Sequence, residues 1–203
     1  MDVVAGLAVP LLRENVDTDQ IIPAQFLRIL TKNGLGRYLF YRWRYDQDGK
    51  PTPGFVLNDE RFRKATVLLA LKNFGIGSSR ENAVWALTDY GIKAVIAPSF
   101  GDIFYENAVK NGLVCIRIDE KLIQQIGKEA EAGGLTVRIN IKEQSLSYGS
   151  QSIHYTMEPS VRRRLMSGED EIENTIKYEN KIMAYEQRMK KFYQIDRKRL
   201  LYE

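Results

Sequence analysis

The residues best suited to chemistry lie in one stretch, Asn73-Phe-Gly-Ile-Gly-Ser-Ser-Arg-Glu81. Gly75 and Gly77 permit close backbone approach, and the helix expected after them presents N–H groups and a partial positive charge. Ser78 and Ser79 add hydroxyls, and Arg80 adds a planar guanidinium able to grip a carboxylate through two parallel hydrogen bonds. Such a set suits a small carboxylate or phosphate. The same spacing fits a plain helix cap, with Ser78 paired to Glu81 and Arg80 in solvent, so spacing alone leaves both readings open. Nucleotide loops fit poorly: Arg80 stands where a dinucleotide fingerprint needs its third glycine, and no P-loop motif is present, which makes a phosphate or nucleotide module the alternative. A serine-protease-like triad is disfavoured, because the one histidine, His154, falls in an expected late strand. Asp17 and Asp19 suit either a cation site or backbone caps in a turn.

The elements around this loop follow from apolar runs and their punctuation. Residues 65–71 (ATVLLAL), 92–97 and 113–118 read as strands buried on both faces. Between them, a helix continues through Ala83, Leu87 and Tyr90 to Gly91, and a second spans Asp102 to Lys110, ended by Asn111-Gly112. This β-α-β-α-β alternation implies parallel strands, with ligands favoured beyond their carboxyl ends, where the Gly75 to Ser79 loop lies. Ahead of it, residues 3–12 read as a strand and 13–19 as a loop, and 37–64, with its turn-forming DQDGKPTPG, reads as a long surface insertion. After it come a helix at 121–132, shorter antiparallel strands at 135–141, 145–148 and 152–157, and a polar helix at 169–195.

Composition bounds the possibilities. At 203 residues, with 44% apolar and 28% charged side chains, the chain suits one soluble domain with a real core. A net charge of +4 is too balanced to demand nucleic acid. A single cysteine, Cys115, forms no internal disulfide and supplies too few thiolates for a zinc or iron–sulfur site. The apolar start carries Asp2 instead of a basic region and no run of about 18 apolar residues occurs, so neither an export signal nor a membrane span is expected and the cytoplasm is the default.

Four motifs in order, NVDTDQIIPAQFL (15–27), YLFYRWR (38–44), NFGIGSSRENAVWALTDYG (73–91) and IAPSFGDIFYENAVKNGL (96–113), closely resemble the 3-isopropylmalate dehydratase small subunit family. The resemblance runs from about residue 3 to residue 187, leaving 188–203 as a basic tail with six basic residues and one acid between Arg188 and Arg199. It implies the α/β swivelling β/β/α domain of the aconitase superfamily: a central parallel sheet, an antiparallel layer and flanking helices. It also implies a hydro-lyase that interconverts 2-isopropylmalate and 3-isopropylmalate only with a separate large subunit, which carries the four-iron four-sulfur cluster. No cofactor or metal is then bound by this chain.

By the same resemblance, Ser78 is the base, Asp19 orients Arg80 or the serine loop, and Gly77, Ser79 and Arg80 bind substrate carboxylate. Tyr38, Leu39 and Phe40 face the branched substituent, and Arg42 and Arg44 are candidates for the second carboxylate. A pocket that separates isopropyl from methyl gains only about 1–3 kcal/mol, so citraconate or 2-methylmalate are alternative substrates, and a related dehydratase acting on homoaconitate is a further alternative within the resemblance. Two departures from the family pattern stand out, Asn82 where histidine is common and Ile76 where a cysteine often precedes the second loop glycine.

Overall fold

The computed structural model describes residues 2–29, 31–132, 134–168 and 175–192. The chain divides after Gly168 into two compact units. In the first, seven strands form one sheet: β1 (Val3–Leu11), β2 (Val67–Ala70), β3 (Ala94–Ala97), β4 (Val114–Arg117), β5 (Thr136–Asn140), β6 (Ser145–Tyr148) and β7 (Gln151–His154). Their order is β4-β3-β2-β1-β5-β6-β7, parallel from β4 to β1 and antiparallel from β1 to β7. The expected antiparallel layer is therefore an extension of the same sheet, joined through β1, whose Val3–Leu7 half pairs with β5 and whose Ala8–Leu11 half pairs with β2. Gly149-Ser150 closes the last hairpin, with Gly149 at φ +51°.

All side chains of β2 and β3 are buried, as their unbroken apolar runs require of strands covered on both faces. On one face lie α3 (Glu81–Tyr90) and α4 (Asp102–Lys110), which pack Ala83, Val84, Leu87, Phe104 and Ala108 against Val9, Leu68 and Val95. On the other, α5 (Glu120–Glu131) packs Ile123, Ile126 and Ala130 against Ala8, Leu69 and Ile96. Two further one-turn helices, α1 (Thr18–Ile21) and α2 (Tyr41–Arg44), precede β2, and α6 (Pro159–Ser167) follows β7.

Residues 37–64 are no surface insertion. Leu39, Phe40, Phe55, Leu57 and Phe62 are buried and complete the core beneath α3. Short 3₁₀ turns at Gly36–Tyr38, Val56–Asn58 and Glu60–Phe62 interrupt the segment, and Leu39 just after the first, Leu57 in the second and Phe62 in the third enter the core singly while the turn formers between them stay outside. Helix α6 went unexpected, although Pro159 at its first turn and left-handed Gly168 at its end are ordinary start and stop signals. The second unit holds α7 (Glu179–Phe192), with exposed Ile182, Met183 and Tyr185. Residues 169–174 and 193–203, which include most of the expected basic tail, lie outside the described residues.

Candidate active site

Three loops at the carboxyl ends of β1, β2 and β3 are laced together by backbone hydrogen bonds. Gly75 N donates to Val16 O at 2.6 Å, Thr18 N to Ile76 O at 2.9 Å, Phe74 N to Ser99 O at 3.1 Å and Gly101 N to Phe74 O at 2.9 Å. Side chains add to this: Asn73 Nδ2 donates to Asn15 Oδ1 at 2.8 Å, and Ser99 Oγ to Asn73 Oδ1 at 3.1 Å. The glycines are needed for close approach. A Cβ on Gly75 would stand 2.2 Å from Cγ of Phe104, and one on Gly101 would stand 2.4 Å from the carbonyl oxygen of Gly75. Both Gly75 (φ +77°) and Gly77 (φ +92°) are left-handed, a conformation that glycine adopts without strain.

Ser78 and Ser79 are exposed at the tip of this pinned loop, and neither hydroxyl has a hydrogen-bond partner among the described residues. The capping-box reading of Ser78 and Glu81 is corrected. The N-cap of α3 is Arg80, with no side-chain cap, because Thr18 Oγ1 holds the carbonyl of Ser78 at 2.9 Å and Asn111 Nδ2 claims the Glu81 carboxylate at 2.8 Å. The start of α3 is thus uncapped beside two unengaged hydroxyls, an arrangement that favours an anion.

Asp17 and Asp19 hold different partners, and both accept from a backbone amide. Asp17 forms a reciprocal capping box with Gln20 on α1. Asp19 instead sits between two guanidiniums: Oδ1 accepts from Arg80 Nη1 at 2.8 Å and from Ala24 N at 2.9 Å, and Oδ2 from Arg42 Nη1 at 2.5 Å. The hydrogen bond from Arg80, foremost, holds the Asp19 carboxyl below the usual carboxylate range against the opposing effect of burial. The Arg80 side chain is 17% exposed and that of Arg42 60%, so one arginine is enclosed and the other stands in solvent.

The residues of the 38–44 segment lie in different surroundings. Leu39 and Phe40 are fully buried core residues and offer no surface to a ligand, because this segment builds the core beneath α3. Tyr38 is half-buried and stacks on Phe26 at 4.0 Å between ring centroids, with Tyr41 edge-on to Phe26. Arg44 turns away: it donates to Asn58 Oδ1 at 3.3 Å and Gly36 O at 3.4 Å and stacks on Tyr90. Phe26 was missed, since its ring reaches Tyr38 only through a contact that no local spacing signals.

Residues 2–121 match the family model described as the aconitase C-terminal domain. The 3-isopropylmalate dehydratase small subunits of Oceanobacillus iheyensis and Brevibacillus brevis are 45% and 46% identical, over 90% of this chain and 95% of theirs. The chain belongs to the 3-isopropylmalate dehydratase small-subunit family. A crystal structure of the 3-isopropylmalate dehydratase of Methanocaldococcus jannaschii agrees with its fold, at a TM-score of 0.65 and 28% identity over 91% of this chain and 99% of that one.

An iron–sulfur cluster, expected in this family's large subunit, does not fit the residues of this chain. Cys115 is buried among the apolar side chains beneath α3 and α4, and burial pushes its thiol far up, away from the thiolate that a metal needs. Among the described residues no three His, Cys, Asp or Glu side chains gather into a metal site, and no helix is long and apolar enough to cross a membrane. His154 is exposed at the end of β7.

Proposed function

We propose that this chain is the small subunit of a 3-isopropylmalate dehydratase, acting in leucine biosynthesis with a cluster-bearing large subunit in the cytoplasm. The observation that carries the reading is the enclosed Arg80, anchored on Asp19 at the uncapped start of α3, beside the unengaged hydroxyls of Ser78 and Ser79. Arg80 Nη1 bonds Asp19 and, more distantly, Ile22 O, and its Nε and Nη2 make no hydrogen bond among the described residues. That guanidinium edge, with the hydroxyl of Ser79 and the backbone at Gly77, suits one carboxylate of an isopropylmalate. The carbon beside that carboxylate then faces Ser78.

Ser78 takes the proton from that carbon, and the developing negative charge is met by the start of α3 and by Arg80. Asp19 fixes where the guanidinium lies. The half-exposed rings of Tyr38, stacked on Phe26, and Tyr41, edge-on to it, suit the apolar substituent better than the buried Leu39 and Phe40. The cluster belongs to the partner in this reading, and this chain supplies the base and the carboxylate-binding groups.

Mixing the chain anaerobically with the purified large subunit and following the unsaturated intermediate tests the proposal. Turnover of isopropylmalate in preference to citraconate and homoaconitate supports it, and no turnover with the partner's cluster intact refutes it. Calorimetry of the same complex with nucleotides separates it from a nucleotide-binding module.

A further inference from the structure

We propose that Arg42 is a positioning residue that acts through Asp19 and keeps the carboxylate-binding end of the site cationic. The inference rests on the reading above and deepens it. Asp19 offers its two oxygens to different partners, Oδ1 to Arg80 and the Ala24 amide, Oδ2 to Arg42. Arg80 and Asp19 alone would cancel, leaving the pair with no net charge to add to the pull of the α3 start on a substrate anion. With Arg42 the trio carries one net positive charge.

Geometry points the same way. Arg42 makes its one side-chain hydrogen bond among the described residues to Asp19. It thereby occupies the oxygen that would otherwise be able to swing onto the second terminal nitrogen of Arg80 and close the forked pairing there. An Asp19 so closed would take from Arg80 the donors that a substrate carboxylate needs. Arg44 cannot replace Arg42, since its guanidinium is held by Asn58 and Gly36. Arg42 and Asp19 approach because Phe40 N donates to Ile21 O at 2.7 Å, which sets α2 beside α1.

The test is a charge-balance cycle in the reconstituted complex, with Arg42→Gln, Asp19→Asn and the double variant. Arg42→Gln leaves the trio neutral, and the double variant restores one positive charge. Arg42→Gln is expected to raise KM for isopropylmalate about tenfold, with kcat within about twofold. Adding Asp19→Asn is expected to bring KM back to within about threefold of wild type, while kcat follows that of Asp19→Asn alone. An unchanged KM in Arg42→Gln, or a double variant whose KM stays at or above that of Arg42→Gln, overturns the inference.

Wild-type turnover in the same series reports separately on the proposed function. Should wild type not turn over, the inference is judged on the isolated chain, by following the Asp19 carboxyl carbon through a pH titration by NMR. Arg42→Gln must raise its pKa, since Arg42 is one of the charges holding it down, and an unchanged titration refutes the inference.

Discussion

Replacing Gly75 by alanine tests whether the serine loop is held as tightly as its packing implies. Two penalties add at this position. The left-handed backbone, φ +77°, costs an alanine about 1–2 kcal/mol. The new methyl would stand 2.2 Å from Cγ of Phe104, a ring only 2% exposed that packs edge-on against Phe74 and stacked on Phe100, and such overpacking costs about 1–3 kcal/mol. Gly91 supplies the control: its φ is +109°, but a Cβ there meets nothing within 4 Å, so Gly91→Ala pays only the backbone penalty. Gly75→Ala should therefore lose about 2–5 kcal/mol and Gly91→Ala about 1–2 kcal/mol. For a chain of this size those losses lower the melting temperature by about 4–20 °C and about 2–8 °C. Urea unfolding with and without Phe104→Leu measures the steric part, because the smaller side chain should make the double variant less destabilised than the two single losses combined. Equal losses at Gly75 and Gly91, with strict additivity to Phe104→Leu, would refute the packing argument.

Ser78→Ala should reduce turnover of the reconstituted complex by about 10²–10⁴-fold with KM little changed. Its urea midpoint should match wild type, because Ser78 caps no helix, and a stability loss without a rate loss would reverse the assignment. Asp19 has a carboxyl whose pKa falls on folding, so its contribution to stability is complete above the unfolded value and is lost as pH falls through the folded one. Wild type should thus lose stability more steeply than Asp19→Asn below about pH 4, and parallel unfolding curves between pH 6 and acid would count against the Arg80 pairing. The Cys115 thiol should stay silent to an aromatic disulfide reagent in the folded chain and react once urea unfolds it, since burial holds it protonated.

The parts of the fold that sequence made legible are those whose signals are local. Unbroken apolar runs at β2 and β3 mark strands covered on both faces, the run at β4 does so up to the exposed Arg117, and Gly91 and Asn111-Gly112 mark where helices end. The 37–64 segment differs from its sequence expectation because Leu39, Phe55, Leu57 and Phe62 are buried one by one in or beside 3₁₀ turns, with no period for a pattern to catch. The site divides in the same way. The glycines and hydroxyls lie within one loop, but Asp19 reaches Arg80 across 61 residues, Arg42 reaches Asp19 across 23, and Asn111 takes Glu81 from a false capping box across 30. Spacing rules see only neighbours three or four residues apart, and none of these pairs is one.

What the chain holds rigid and what it leaves bare bear on why its reaction needs a second polypeptide. The backbone of the serine loop is fixed to the loops after β1 and β3, whereas the Ser78 hydroxyl, the proposed base, faces solvent. A serine oxygen is too weak a base at neutral pH unless the charged form is favoured by the start of α3 and by Arg80. In bulk water a unit charge at 4 Å contributes about 1 kcal/mol, but at the effective dielectric of a covered protein surface about 4 kcal/mol. The same groups at the same distances thus become several-fold more effective once another surface excludes water from the loop. Docking of the large subunit would then do more than deliver a reactant: it would complete the electrostatics of the proposed base, whose loop this chain already holds in place.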